Sequence, residues 1–232
     1  MSRLEWNKQG ERFFETGLDR GVLYPDDGPG VPWNGLTSVN EAPDGGDANS
    51  HYMDGQKYLD TVGPEDFAAT IEALSCPPEF LPYDGMARFQ GLTITGQPRR
   101  KFGMSYRSLI GNDTLMTGFA YKIHLVYEAK VLPSSRNRTT IGDSVELMPN
   151  SWNLVATPVG MTGRRKTAHY VVDTRDNTAE QIAVLEDYLY GNDELNPQLP
   201  SPEEVINILN TLYRLYPGSI YPNSLLFQSE GI

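Results

Sequence analysis

His51, His124 and His169 are all the histidines of this chain, and Cys76 is its single cysteine. A lone cysteine forms no disulfide within the chain, and no two histidines stand at metal-ligand spacing, so neither a disulfide nor a Cys/His zinc site is expected to be possible. Acid pairs such as Glu65-Asp66 and Glu186-Asp187 resemble the two carboxylates of a hydrolase. Neighbours on a strand or helix point apart, however, and thirty acids make chance pairing routine. The chain has no G-x-S-x-G elbow, Walker loop or H-E-x-x-H motif, and Asp26-Asp27-Gly28 and DTRDN (173–177) fall short of a calcium loop. The sequence therefore assigns no catalytic, cofactor-binding or metal-binding residue, and the expectation is a protein that is not an enzyme and carries no cofactor.

The elements around these residues are more informative. The chain has 232 residues, 39% of them hydrophobic, enough for a substantial core in one large β-rich domain or two small ones. No window approaches eighteen consecutive apolar residues, and the N-terminus MSRLEWNKQGERFFE lacks the basic-then-apolar order of a signal peptide. Neither membrane insertion nor secretion is expected. The net charge of −11 is unevenly spread. Residues 1–97 carry six basic against sixteen acidic side chains, residues 98–175 twelve against five, and residues 176–232 one against nine. Such blocks are either solvated faces or surfaces through which one copy's basic middle meets another copy's acidic flank. Arg99, Arg100 and Lys101, Arg136 with Arg138, and Arg164, Arg165 and Lys166 form the basic clusters. Without a basic domain, interleaved aromatics or a known module, they do not read as a nucleic-acid site.

Gly30 to Lys57, GVPWNGLTSVNEAPDGGDANSHYMDGQK, opens around a tryptophan and runs on through mostly polar residues. Compact domains rarely carry structureless connections longer than about 12 to 15 residues unless they are lids, binding loops or linkers. A long extended loop with a purpose is expected over 40–60.

The middle of the chain reads as sheet. In FAYKIHLVYEAKV (119–131) every odd position is apolar, while Lys122, His124, Glu128 and Lys130 take even ones. Period two predicts a long antiparallel strand with Tyr121, Ile123, Leu125 and Tyr127 buried and Lys122, His124 and Glu128 on a wet face. Shorter strands are predicted at Gly21–Tyr24, Trp33–Val39, Phe67–Leu74, Phe102–Leu109, Trp152–Thr157 and Ala168–Val172. Pro149 and Pro77-Pro78 belong at strand ends or bulges. Two helices are capped in sequence. NTAEQIAVLEDYLYG has a Thr178/Gln181 capping box, a stripe of Ile182, Leu185 and Leu189, and Gly191 as its stop. SPEEVINILNTLYRLYPG has Ser201 as N-cap, Pro202 as first helical residue, Glu204 as box partner, and a stripe of Val205, Ile208, Leu209 and Leu212. The apolar segment Ile220 to Phe227 also needs covering.

Seven segments together resemble the major tail tube proteins of long, non-contractile (siphovirus) phage tails, in particular those of phages of Gram-positive and actinobacterial hosts. They are RFFETGLDRGVLYP (12–25), GVPWNGLTSVNEAP (30–43), YMDGQKYL (52–59), EDFAATIEALSCPPEF (65–80), YRSLIGND (106–113), YKIHLVYEAKVLPS (121–134) and LEDYLYG (185–191). They fall in order along nearly the whole chain. The GV-x-W-N-G-L-T-x-V-x-E segment and the Y-K-I-H-L-V-Y strand are the most specific. Met53-Asp54-Gly55-Gln56 departs from the Asp or Asn that such relatives often carry.

The resemblance implies a mainly β, antiparallel β-sandwich of the tail-tube type. It would have one or two helices and a long loop, with strands contributed to a ring-wide inner β-barrel. It implies a single tail tube domain: first strands and an N-terminal arm over 1–32, an assembly loop over 40–60, a sandwich core over 61–175 and a helical C-terminal segment over 176–232. The implied role is structural. Hexameric rings of the chain would stack into a virion tube, assembled in the host cytoplasm. The tube would hold the tape measure protein, meet tail terminator and distal tail proteins, and let duplex DNA pass without specific binding and without a membrane contact. The wet face of 119–131 would be lumen or outer surface, and an acidic wall would suit the passage of DNA. Asn40, Glu41, Asp44, Asp47, Tyr52, Met53, Asp54 and Lys57 are then the candidates for contact between subunits or rings, as an arm that orders only on contact. Arg99, Arg100, Lys101, Arg164, Arg165 and Lys166 are the candidates for charge complementarity between copies. A β-sandwich that binds carbohydrate or a receptor is the alternative reading.

Overall fold

The computed structural model describes residues 3–136, 138–140, 143 and 147–215. Among them the fold is mainly β. Its centre is the pair β11 (Phe102–Asn112) and β12 (Met116–Val131), joined by a short turn. β1 (Phe13–Tyr24) lies antiparallel on the other side of β11, and β2 (Val31–Pro32) adds to β1. The far edge of β12 is shared. Its residues 122–126 pair with β14 (His169–Asp173) and its last three with β13 (Asn150–Ala156). From β13 the sheet continues through β8 (Ala68–Ala73) to β3 (Leu36–Glu41). Three two-stranded pieces stand outside it: β4 (Asp44–Gly45) with β7 (Glu65–Asp66), β5 (Ala48–Met53) with β6 (Gln56–Val62), and β9 (Met86–Phe89) with β10 (Leu92–Thr95). The helices are α1 (Ala179–Tyr190) and α2 (Pro202–Leu215).

The sheet buries apolar side chains on both faces. On one, Leu23, Trp33, Ile71, Phe80, Tyr83, Phe102, Met104, Val126, Trp152 and Leu154 form a cluster rich in aromatic rings. On the other, Val22, Tyr24, Ile123, Leu125, Tyr127 and Val172 pack with Ile182, Leu185 and Leu189 of α1 and Val205 of α2. Both helices start as their sequences require. Thr178 and Gln181 close the predicted capping box, and Ser201 and Glu204 exchange the same reciprocal bonds. At Gly103 on β11 the segment leading into α2 comes close to the sheet, since a Cβ there would lie 2.5 Å from Leu199 Cδ2.

The prediction for 119–131 needs two corrections. Ile123, Leu125 and Tyr127 are buried as expected, but so are His124 and Val126, while Tyr121 is half-buried. Around Val126 the strand has a helical layer on one side and the inner cluster on the other, while Lys122 stays half-buried and Glu128 is exposed as expected. The alternation also breaks. Phe102 pairs with Ala129 but Met104 with Val126, so β12 carries one extra residue there, and Glu128 sits at φ 49°. A bulge of this kind reverses which parity faces which side. Ile123, Leu125 and Tyr127 therefore face the helices, whereas Ala129 and Val131 join Val126 in the inner cluster.

Gly21–Tyr24 proves to be the end of the twelve-residue β1. Trp33–Val39 divides at Asn34-Gly35, with Gly35 at φ 85°, between β2 and β3. Pro149 lies just before β13, and Pro77-Pro78 open a 3-10 turn over Pro78–Phe80. Ile208 and Leu209 pack against the helical cluster; the segment Ile220 to Phe227 lies outside the described residues.

Candidate assembly interface

The segment expected as an extended loop over 40–60 is a β-ribbon. β3 and β8 pair within the main sheet from Leu36↔Ala73 to Glu41↔Ala69. The pairing then leaves the sheet through Asp44↔Asp66 and Gly45↔Glu65 and continues from Ala48↔Val62 to Met53↔Gln56. Asp54 and Gly55 make the tip, at φ 51° and 75°. Two successive positive φ values are those of a type I′ turn, which matches strand twist and favours Asp-Gly. That dipeptide between two strand-forming runs is the signal by which the sequence announces a hairpin. The arm is knit by its own side chains: Ser50 Oγ donates to Asp60 at 2.6 Å, His51 Nε2 lies 3.0 Å from Thr61 Oγ1, and Lys57 pairs with Asp60 at 2.7 Å. Strand pairing runs along the arm from Ala48↔Val62 to its tip within the single chain.

No residue of β5 or β6 is buried. Even so, Tyr52, Met53, Tyr58, Leu59 and Val62 lie on the arm with 42% to 68% of their surface open. Of the other candidates, Asn40 and Glu41 end β3 at the arm's root, Asp44 begins β4, and Asp47, Asp54 and Lys57 are exposed arm residues. Sequence reasoning missed a second exposed apolar hairpin, β9–β10, which presents Phe89, Leu92 and Ile94. Its signal is Gln90-Gly91 between two strand-like runs, both at positive φ.

The charge blocks meet within the chain. β11 and β12, from the basic middle, lie beside β1 and under α1, from the two acidic flanks. Arg107 donates two bonds to Asp19 at 2.8 and 2.7 Å and one to Glu186 at 3.2 Å, with its guanidinium 4.3 Å over the Tyr121 ring. Lys122 pairs with Glu15 at 2.5 Å, and its hydrogen bond holds that carboxyl below the usual range. Arg100 takes Asp26 at 2.6 Å and Asp27 at 2.9 Å, Lys101 takes Glu128 at 3.1 Å, and Arg136 takes the buried Asp84, which also accepts from Trp152 Nε1. Arg99 is half-buried beside them. Arg164, Arg165 and Lys166 lie together on an exposed turn between the bridged residues Val159 and Thr167.

Two histidines that the sequence keeps apart come together. His124 of β12 stacks between Tyr106, at 4.6 Å between centroids, and His169 of β14, at 5.3 Å, and Phe67 lies 5.0 Å beyond His169. Glu41 reaches them from the end of β3, its Oε1 3.4 Å from His124 Nδ1 and its Oε2 3.6 Å from His169 Nδ1. Burial lowers both imidazoles below their ordinary value, His124 to about 4, and so favours their neutral forms. The expectation of separate histidines is thereby corrected. The fold brings together positions 41, 124 and 169, and no local motif records it.

Among the described residues no helix is long and apolar enough to cross a membrane. No protein-family model matches the chain, and the comparison with curated proteins found no match. Among solved structures it overlaps the sheath/tube terminator of an extracellular contractile injection system in its extended state, at 13% identity and a TM-score of 0.34, over 73% of this chain and 99% of that one. It also overlaps a chain of the anti-feeding prophage baseplate, at 10% identity and 0.37, over 73% and 97%. A third overlap is with the sheath-tube complex of the injection system, at 16% and 0.35, over 73% and 94%. Overlaps this loose decide nothing about what the chain does.

Proposed function

We propose that this chain is the repeating subunit of a phage-type tail tube and that its arm is a contact with a second copy. The arm carries the proposal. A two-stranded hairpin is marginally stable on its own in water, yet this one projects from the sheet with five large apolar side chains uncovered and no residue given to the core. Large apolar side chains left uncovered on both faces of one projecting hairpin suit an interaction site, and the ordered sequence resemblance to tail tube proteins favours a second copy as the occupant. The β9–β10 hairpin offers a further contact. β14, paired among the described residues only with β12, and the ends of the sheet at β2 and β3 offer edges that neighbouring strands can extend. On this reading copies close into hexameric rings that stack around the tape measure protein and later around DNA. The net charge of −11 then keeps the wall from holding DNA.

The test replaces Ala48–Val62 by a short glycine-containing turn and images the concentrated protein by negative stain beside the intact chain. The intact chain should give rings or tubes, and the shortened chain should stay monomeric with an unchanged circular dichroism spectrum. Tubes from the shortened chain would remove the arm from the interface. A monomeric intact chain that is retained on a glycan column would favour the binding-module reading instead.

A further inference from the structure

The geometry points to a metal site: His124, His169 and Glu41 form a three-ligand centre for a divalent transition ion of the zinc class, at the root of the arm. Hydrogen bonding sets the tautomer first. Glu15 is an ion-paired carboxylate and can only accept, so Ser108 Oγ, 2.6 Å away, gives it its proton. Ser108 Oγ therefore accepts from His124 Nε2 at 2.9 Å, which places the ring's proton on Nε2 and its lone pair on Nδ1. That lone pair faces His169 Nε2 at 3.1 Å and Glu41 Oε1 at 3.4 Å.

His169 presents Nε2 to that lone pair at 3.1 Å and Nδ1 to Glu41 Oε2 at 3.6 Å, so two imidazoles and a carboxylate turn their polar atoms toward one another. A cation among the three groups would accept lone pairs from all of them. The spacing suits one: an ion with tetrahedral bonds of about 2.0–2.1 Å holds its donors roughly 3.4 Å apart. The ligand atoms here all lie within 4.8 Å of one another. Outer partners are in place as well. Tyr106 donates to Glu41 Oε1 at 2.5 Å, and the Ser108–Glu15 pair orients His124. His124 and Glu41 also line an open pocket of about 350 Å³, which gives an entry path and a free coordination position. Two imidazoles and a carboxylate suit zinc, with cobalt as its spectroscopic substitute. Because Glu41 ends β3 while His124 and His169 lie on β12 and β14, the ion would pin the arm's root to the centre of the sheet.

The experiment dialyses the untagged chain against zinc chloride, counts bound metal, and repeats the loading with cobalt chloride. One ion per chain is expected, with the visible bands of four-coordinate cobalt and a rise in Tm. His169→Gln and Glu41→Gln, checked for fold by circular dichroism, should lose the ion or bind it at least about 10-fold more weakly. Ser108→Ala keeps all three ligands and should weaken binding by about 10- to 100-fold, as loss of an outer partner does. His51→Gln, on the arm, should change nothing. Less than one ion per chain, cobalt without four-coordinate bands, binding that survives both ligand changes, or binding lost with His51 would overturn the site.

Discussion

Along β12, Ile123 and Leu125 keep none of their surface open to water, whereas along β5 and β6 Tyr52, Met53, Tyr58 and Val62 keep 61% to 68%. Both regions are antiparallel ribbons that carry large apolar side chains. What separates them is cover. β12 lies between an aromatic cluster and two helices, while the arm has left the sheet and none of its strand residues is buried among the described residues. Body and arm thus divide the work of apolar side chains: in one they hold the fold together, and in the other they are left for a partner.

Four substitutions break or sharpen this contrast, each followed by a denaturant melt. Leu125→Ala should be the most damaging, at roughly 2 to 5 kcal/mol, because it opens a cavity beneath α1. Arg107→Ala should cost roughly 2 to 4 kcal/mol. It strands the carboxylates of Asp19 and Glu186, and the partial exposure of Asp19 holds the loss below that of a fully buried pair. Lys122→Ala should cost no more than about 1 kcal/mol, since its partner Glu15 is 43% exposed. Tyr58→Ser on the arm should stay within about 0.5 kcal/mol of the parent while weakening self-association in sedimentation runs. If Tyr58→Ser destabilises the monomer as much as Leu125→Ala does, the arm belongs to the core and the contrast collapses.

The local parts of the fold were legible. Both helices announce themselves by caps three residues apart, and strand periodicity located β8, β11, β12, β13 and β14. Two readings failed for want of non-local information. The alternation from Phe119 to Val131 says nothing of the bulge at Glu128, which reverses the faces, nor of the second layer that buries His124. The arm failed differently. Its Asp54-Gly55 turn was in plain view, but an abundance of polar residues reads as loop when the strands have no buried face to pattern. The histidine and glutamate cluster had no sequence signal, because its members come from three strands, of which β12 and β14 are neighbours while β3 lies at the end of the sheet, and only the three-dimensional fold brings Glu41 to the histidines.

The continuity of the ribbon from the Asp54-Gly55 tip to Leu36↔Ala73 also bears on the order of events in time. β1 must find β11 across most of a hundred residues, as Phe13↔Asn112 shows, and pairings of that span are slow. β3 and β8 need no such search. A hairpin forms within about 1–10 μs, and zipping from the tip delivers both strands to the sheet already in register. An equal-length Gly/Ser loop in place of the arm should therefore slow refolding in stopped-flow traces, and unchanged kinetics would dismiss the idea. A segment that gives the core no side chain would then set the clock by which two of the core's strands arrive.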